Sequence, residues 1–235
     1  MASRSLRVLS AGAAKGVVQA IAGPFEAEHA TRVDAMFDSA GAIAHAVESG
    51  AACDVVILPA PMLDTLAAEE LVSEPFAALG RVPTGIAVAS GEPRPDVHDA
   101  DALRACLAAA SALYCPDTIR STAGIHFAGV LRTLGLAEAA AGRLRTYANG
   151  AQAMAALAAE RVPGAIGCTQ VSEILYTPGV VLAGALPHPF ELATIYAAAV
   201  STSAAPLLAA REFVERLTGT ASEAMRRSGG FLERS

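Results

Sequence analysis

Apolar and polar positions in the first ninety residues alternate between two periods. Residues 6–10, 32–37 and 54–58 are short apolar runs, which predict strands. Between and after them, residues 15–28, 41–49 and 61–68 carry apolar side chains at helical spacing, and Gly50 closes the second of these predicted helices. Strand and helix in strict alternation predict a parallel sheet with helices on its faces. A further strand is predicted over 82–89, followed by the turn-rich linker Gly91-Glu92-Pro93-Arg94-Pro95.

A second alternation then begins. It reads as a helix over 99–110 with Asp99 or Asp101 in its first turn, a strand over 112–114 and a polar loop over 115–124. An amphipathic helix over 125–134 ends at Gly135, and 144–147, 151–159 and 165–169 read as strand, helix and strand. The apolar stretch 180–182 leads to Leu186-Pro187-His188-Pro189, then to a long apolar strand over 192–200 and C-terminal helices from 206–217 onward. Two α/β units joined near 85–95 and near 184–192 predict two lobes: 1–86 with 187–235, and 87–186. Ligands of such sheets sit beyond the carboxyl ends of strands, and in two-lobed proteins they sit in a cleft between lobes.

Composition narrows the function classes. The 235 residues are 53% hydrophobic and 17% charged, with a net charge of −6, which argues against a nucleic-acid surface. The apolar stretches are broken by charges, Gly and Pro before reaching membrane-span length. Cys53, Cys106, Cys115 and Cys168 form no C-x-x-C pair, so no metal and no cofactor is expected. Free thiols are the default, and nothing in the spacing supports a Cys106–Cys115 bridge. Met1-Ala2-Ser3-Arg4-Ser5 runs straight into the first strand, so the expected location is cytoplasmic as written, or periplasmic if an export signal has been removed.

Lys15 is the one lysine among 17 basic residues. It follows Ser10-Ala11-Gly12-Ala13-Ala14, a turn of small residues between strand and helix, where backbone N–H groups suit an anion. An ammonium there is a compact charge with a tunable pKa, which arginine does not supply. The bland alternative is an incidental lysine at an exposed helix start.

Several segments resemble the molybdate-binding type of solute-binding protein. They are the stretch from Leu6 to Ala13, Phe37-Asp38-Ser39-Ala40-Gly41, the run from Glu48 to Ile57, Thr122-Ala123-Gly124-Ile125-His126-Phe127, and Gly164-Ala165-Ile166-Gly167. The resemblance implies a type II periplasmic-binding-protein-like α/β fold with parallel or mixed sheets flanked by helices. It also implies that backbone at Ala11, Gly12, Ser39 and Ala40 holds an anion. That family uses hydroxyls in its first two loops and a tyrosine after the late strand. The matching positions read here as Ala13, Ala40 and Gly167, a pattern better suited to a larger anion than tetrahedral molybdate. Some proteins resembling this family are isomerases of unsaturated polycarboxylates, aconitate isomerase being the example. The chemistry implied is an allylic proton shift, which needs cations for carboxylates and one base.

On that reading Lys15 and His126 are the candidate catalytic residues. Ala11, Gly12, Ser39, Ala40, Arg120, Ser121, Thr122, Asn149 and Gln170 are the candidate substrate contacts. Arg120 suits a bidentate carboxylate clamp. Ser121 and Thr122 combine helix capping with N–H groups for an anion, Ser39 fits a helix cap equally well, and Asn149 and Gln170 offer amides. Glu173 and Asp38 are carboxylates that could act as bases, without specific support. The expected activity is isomerisation of a small polycarboxylate. The alternative is a non-catalytic binding protein for a small anion that serves a transporter permease. No nucleic-acid or membrane partner is expected.

Overall fold

A computed structural model describes residues 4–233. The expectation about an export signal rests partly on Met1–Ser3, which lie outside the described residues. In chain order the elements begin with β1 (Arg4–Ala11), α1 (Lys15–His29), β2 (Thr31–Asp38), α2 (Ala40–Glu48), β3 (Val55–Pro59) and α3 (Ala60–Ala68). They continue with β4 (Val72–Ala89), α4 (Ala100–Ala109), β5 (Leu113–Pro116), α5 (Thr122–Thr133), α6 (Ala137–Ala141), β6 (Leu144–Tyr147) and α7 (Gly150–Glu160). The last are β7 (Ile166–Gln170), α8 (Val171–Tyr176), β8 (Val180–Ala185), β9 (Ala193–Ser201), α9 (Leu207–Thr218) and α10 (Glu223–Ser228). The expected α/β alternation is present throughout.

The chain packs as two units, one running to Arg81 and resuming at Thr194, the other Val82–Ala193. In the first unit the strand order is β2-β1-β3-β9-β4, with β2, β1 and β3 parallel and β9 antiparallel to β3. Its β3, Val55–Pro59, is buried at every position, as expected of a strand covered on both faces. Helix α9 buries Ala210, Phe213, Val214 and Leu217, a spacing that makes one apolar stripe. Phe213 meets Phe25 of α1 edge-on at 5.0 Å between ring centroids.

In the second unit the order is β4-β7-β5-β6, with β8 also on β4. Strands β5, β6 and β7 are parallel, and β4 is antiparallel to β7. Side chains alternate across this sheet. Ile86, Val88, Cys115, Ile166 and Cys168 face a core built with Phe127, Val130 and Leu131 of α5. Ala87 and Tyr114 face the opposite core, with Ala153, Met154 and Leu157 of α7. The far end of α7 is tied down by Glu160, which accepts from the Tyr114 hydroxyl at 2.7 Å and the Tyr147 hydroxyl at 3.0 Å.

Four elements differ from the sequence reading. The strand expected over 82–89 begins ten residues earlier, at Val72, because Ser73-Glu74-Pro75 and Gly80 read as turn residues while pairing with β9 carries the backbone through them. Helices α6 and α8 are five and six residues long, too short for a helical period to show. The polar loop expected over 115–124 shrinks to residues 117–121, since Cys115 and Pro116 finish β5 and α5 starts at Thr122. All four cysteines are free thiols, so no Cys106–Cys115 bridge exists.

Candidate functional site

Each unit gathers its candidate residues at the carboxyl edge of its parallel strands. In the first unit Ala11 pairs in register with Asp38, so β1 and β2 end side by side and their following turns leave the same edge. Gly12–Ala14 forms a single 3-10 turn, with Ala13 and Ala14 buried, and α1 then starts at Lys15. Neither the turn nor the helix has a side-chain cap or an acid in its first turn. The positive end of α1 is therefore not neutralised by its own side chains.

Lys15 is half-buried, and its Nζ stands 5.8 Å from the centre of the Phe37 ring, within cation–π range. This contact holds the ammonium over the end of β2. Ser39 caps α2: its Oγ accepts from the Ala42 N–H at 3.3 Å, while its own N–H donates to Asp38 Oδ1 at 2.7 Å. A hydroxyl that accepts a cap bond still has its own proton to donate. Ala40 follows, buried. Ala11, Gly12, Lys15, Ser39 and Ala40 thus share one edge. The sequence reading missed Tyr196, which pairs with Pro59 at that edge and is buried. Only the antiparallel register of β9 reveals its place.

In the second unit β5 and β6 end in register at Pro116 and Tyr147, with β7 alongside. The turn after β5 is pinned by Asp117, whose Oδ1 accepts from the N–H groups of Ile119 at 2.7 Å and Arg120 at 3.0 Å. Those two bonds, Ile119's first, hold the Asp117 carboxyl below its ordinary value. A depressed carboxylate pKa contributes stability above the unfolded-state value and loses it as pH falls through the folded one. The turn should therefore survive acidification past about pH 3.9 and release at a lower pH. The Ile119 and Arg120 amide shifts followed by NMR during an acid titration check this, and a midpoint at or above the ordinary carboxylate value would contradict it.

Arg120 is exposed on this pinned turn, with buried Ser121 and half-buried Thr122 next to it. Ser121 occupies the cap position of α5 yet makes no side-chain cap bond, and no acid lies in the first turn. The other candidate helix end differs. Asn149 caps α7 by accepting from the Gln152 N–H at 3.0 Å, and the buried Glu173 carboxylate accepts from the N–H groups of Gly150 and Ala151. An internal carboxyl group already takes up the amides at the start of α7, so α5 is the helix end of this unit better suited to a ligand's charge.

Gln170 ends β7, buried, and with its amide oriented to donate it reaches Val82 O at 3.0 Å and Pro83 O at 3.3 Å. Thr84, which pairs with Gln170, carries a buried hydroxyl oxygen without a hydrogen-bond partner. By the two-residue period it shares the α5 face with Ile86. The sequence signal for Thr84 was present, a lone hydroxyl inside an apolar strand.

Two expectations need correction. Gly167 lies within β7, where an added Cβ would come 2.6 Å from Met154 Cε, so it is a packing position under α7. The strand end, where the family's tyrosine was expected, belongs to Gln170. His126 sits in the second turn of α5 rather than its first, and its Nε2 lies 2.8 Å from Phe190 O. A carbonyl only accepts, so Nε2 carries the proton and Nδ1 is the atom left for proton transfer. Glu173 is buried and accepts from the Thr169 hydroxyl at 2.5 Å. Burial pushes the Cys106 thiol to about 11 and the Cys115 thiol to about 12, so neither is a nucleophile near neutrality. Among the described residues no group of three or more His, Cys, Asp or Glu could hold a metal ion, and no helix is long and apolar enough to cross a membrane.

Comparison with known proteins places these features in a lineage. Residues 6–232 match the family described as bacterial extracellular solute-binding protein. A protein of Pseudomonas sp. named aconitate isomerase is 26% identical over 233 residues, covering 96% of this chain and 87% of its own length. The periplasmic molybdate-binding protein of Azotobacter vinelandii superposes with a TM-score of 0.78 at 18% identity, covering 98% of this chain and all of that one. The sulfate-binding protein of Mycobacterium tuberculosis gives 0.74 at 16% identity, covering 97% of this chain and 86% of that one.

Proposed function

This chain belongs to the bacterial extracellular solute-binding protein family, and we propose that its solute is a small unsaturated polycarboxylate such as aconitate, which it isomerises by an allylic proton shift. One observation carries the reading. The turn after β1 offers a lone ammonium, Lys15, and an open helix end, but no side-chain hydroxyl at Gly12, Ala13 or Ala14. Such a turn favours a flat carboxylate held by N–H groups and one cation over a compact tetrahedral oxyanion that needs donors on every side. The relative named aconitate isomerase, alignable over nearly the whole chain, points the same way.

Lys15 and Arg120 would each hold a carboxylate. One base, His126 Nδ1 or Lys15 Nζ as the neutral amine, takes a proton from the methylene carbon, and the same proton or its equivalent returns at the far end of the three-carbon unit. One C–H bond breaks, one forms, and the double bond moves without redox change. The negative charge that builds up meanwhile is delocalised toward a carboxylate, where nearby cations stabilise it. The test is incubation with cis- and with trans-aconitate, following the isomer ratio. Both samples should drift to one common ratio, and a folded protein that leaves both unchanged rejects the enzymatic reading.

The molybdate- and sulfate-binding neighbours favour a second reading, capture of an anion without chemistry, with a transporter permease as the partner. Ligand at about a hundred times its Kd adds about 2.7 kcal/mol, or a Tm rise of about 5–10 °C for a chain of this size. Such a rise with aconitate and no turnover selects capture of an organic acid, and a rise with molybdate or tungstate alone selects the oxyanion.

A further inference from the structure

The second unit contains a buried acid that the reaction above does not use. Glu173 accepts from the Thr169 hydroxyl at 2.5 Å and from the backbone N–H groups of Ala151, Gln170 and Gly150. These donors come from two places, the first turn of α7 and the last two residues of β7, so the carboxylate joins segments some twenty residues apart in the chain. The fit around it leaves no slack: a Cβ on Gly150 would lie 1.9 Å from Glu173 Oε2 and 2.0 Å from Thr169 Oγ1. Asn149 sits immediately before the first place and Gln170 within the second.

We propose that Glu173 is a positioning residue, whose carboxylate clasps the first turn of α7 to the end of β7 and so fixes Asn149 and Gln170 for ligand binding. Its effect on a ligand rests on the binding function proposed above. Folding energetics alone do not account for this acid. Burial outweighs the four hydrogen bonds and raises its pKa, and no ionised side chain is among the groups that shift it. A raised carboxylate pKa gives stability that is present below the unfolded-state value and lost as pH rises through the folded one. In its ionised form the group therefore costs stability, and what it provides in return is a set of donors drawn to one point. By occupying the positive end of α7 it also turns a ligand's negative charge toward α5.

The full chain carrying Glu173→Gln tests this through amide hydrogen exchange, which needs no ligand. A glutamine places its NH2 among donors, so the Gly150, Ala151 and Gln170 amides should lose protection about tenfold while Tm moves little. Trans-aconitate affinity should fall by about tenfold in the same variant. Thr169→Val removes one donor to the ionised form and keeps the shape. The pH below which those amides lose protection should then move upward, a shift that a purely packing role would not produce. Unchanged protection in Glu173→Gln overturns the clasp, and lost protection with unchanged affinity overturns its link to the ligand. If Glu173→Gln does not fold, Thr169→Val decides, an unmoved pH profile rejecting the proposal. A wild-type protein that binds no aconitate defeats the proposed function instead, and the exchange result still judges the clasp.

Discussion

Gly124→Ala is expected to lower stability by about 2 kcal/mol or more and to displace the turn that carries Arg120. The added Cβ would lie 2.2 Å from Asp117 O, 2.5 Å from Pro116 O and 2.7 Å from the Asp117 carbonyl carbon. All three are backbone atoms, and that backbone is fixed by β5 on one side and by the Asp117 hydrogen bonds on the other. Alanine would gain about 1 kcal/mol over glycine from helix propensity, and overpacking against rigid backbone costs about 3 kcal/mol, so the clash wins. A net loss of this size lowers Tm by about 4–8 °C in a chain of this length. Gly129→Ala in the same helix is the control. Its Cβ would meet only the Arg132 guanidinium at 3.8 Å, so it should be neutral or stabilising by up to about 1 kcal/mol. Urea unfolding of both variants checks the pair. Equal stabilities would show that α5 can slide away from the turn, and the rigid placement of Arg120 would be lost with it.

Lys15→Ala should weaken anion binding by about ten- to a hundredfold, the worth of a charged hydrogen bond of about 1.5–3 kcal/mol. Its effect on stability should stay within about 1 kcal/mol, because two small terms oppose each other. The ammonium over Phe37 contributes about 0.5–1 kcal/mol, while a cation at the N-terminus of α1 costs about 0.3–1 kcal/mol. Lys15→Arg separates capture from chemistry. It keeps the positive charge, so binding should largely survive, but a guanidinium does not release its proton near neutrality. Retained affinity with lost isomerisation would assign the proton transfer to Lys15, and retained turnover would assign it to His126 Nδ1. Calorimetric titration alongside the isomer assay provides both readouts. An unchanged affinity in Lys15→Ala would make the lysine incidental.

Much of the candidate site was legible because it is local. Small residues after an apolar strand mark the 12–14 turn, and a serine before an apolar helix marks the Ser39 cap. The pairing of Asp117 with the amides two and three residues later is also short-range, yet in the sequence it showed only as part of a polar loop. What stayed hidden depends on partners distant in the chain. Tyr196 reaches the edge only through its pairing with Pro59, and His126 finds its acceptor at Phe190. Glu173 was visible only as a carboxylate that could act as a base, and its surroundings depend on the start of α7 and the end of β7, which the fold brings to it.

By itself the sequence determined the α/β alternation, the family likeness and the residues at the turns. Hydrophobic period and turn chemistry act over a few neighbouring positions and are written directly into the order of residues. Only the tertiary structure decided which helix ends remain open, which atom of His126 keeps its proton, and that an internal acid already fills the start of α7. These depend on where distant groups meet, and burial with hydrogen bonding, rather than residue type, then sets what each group can do.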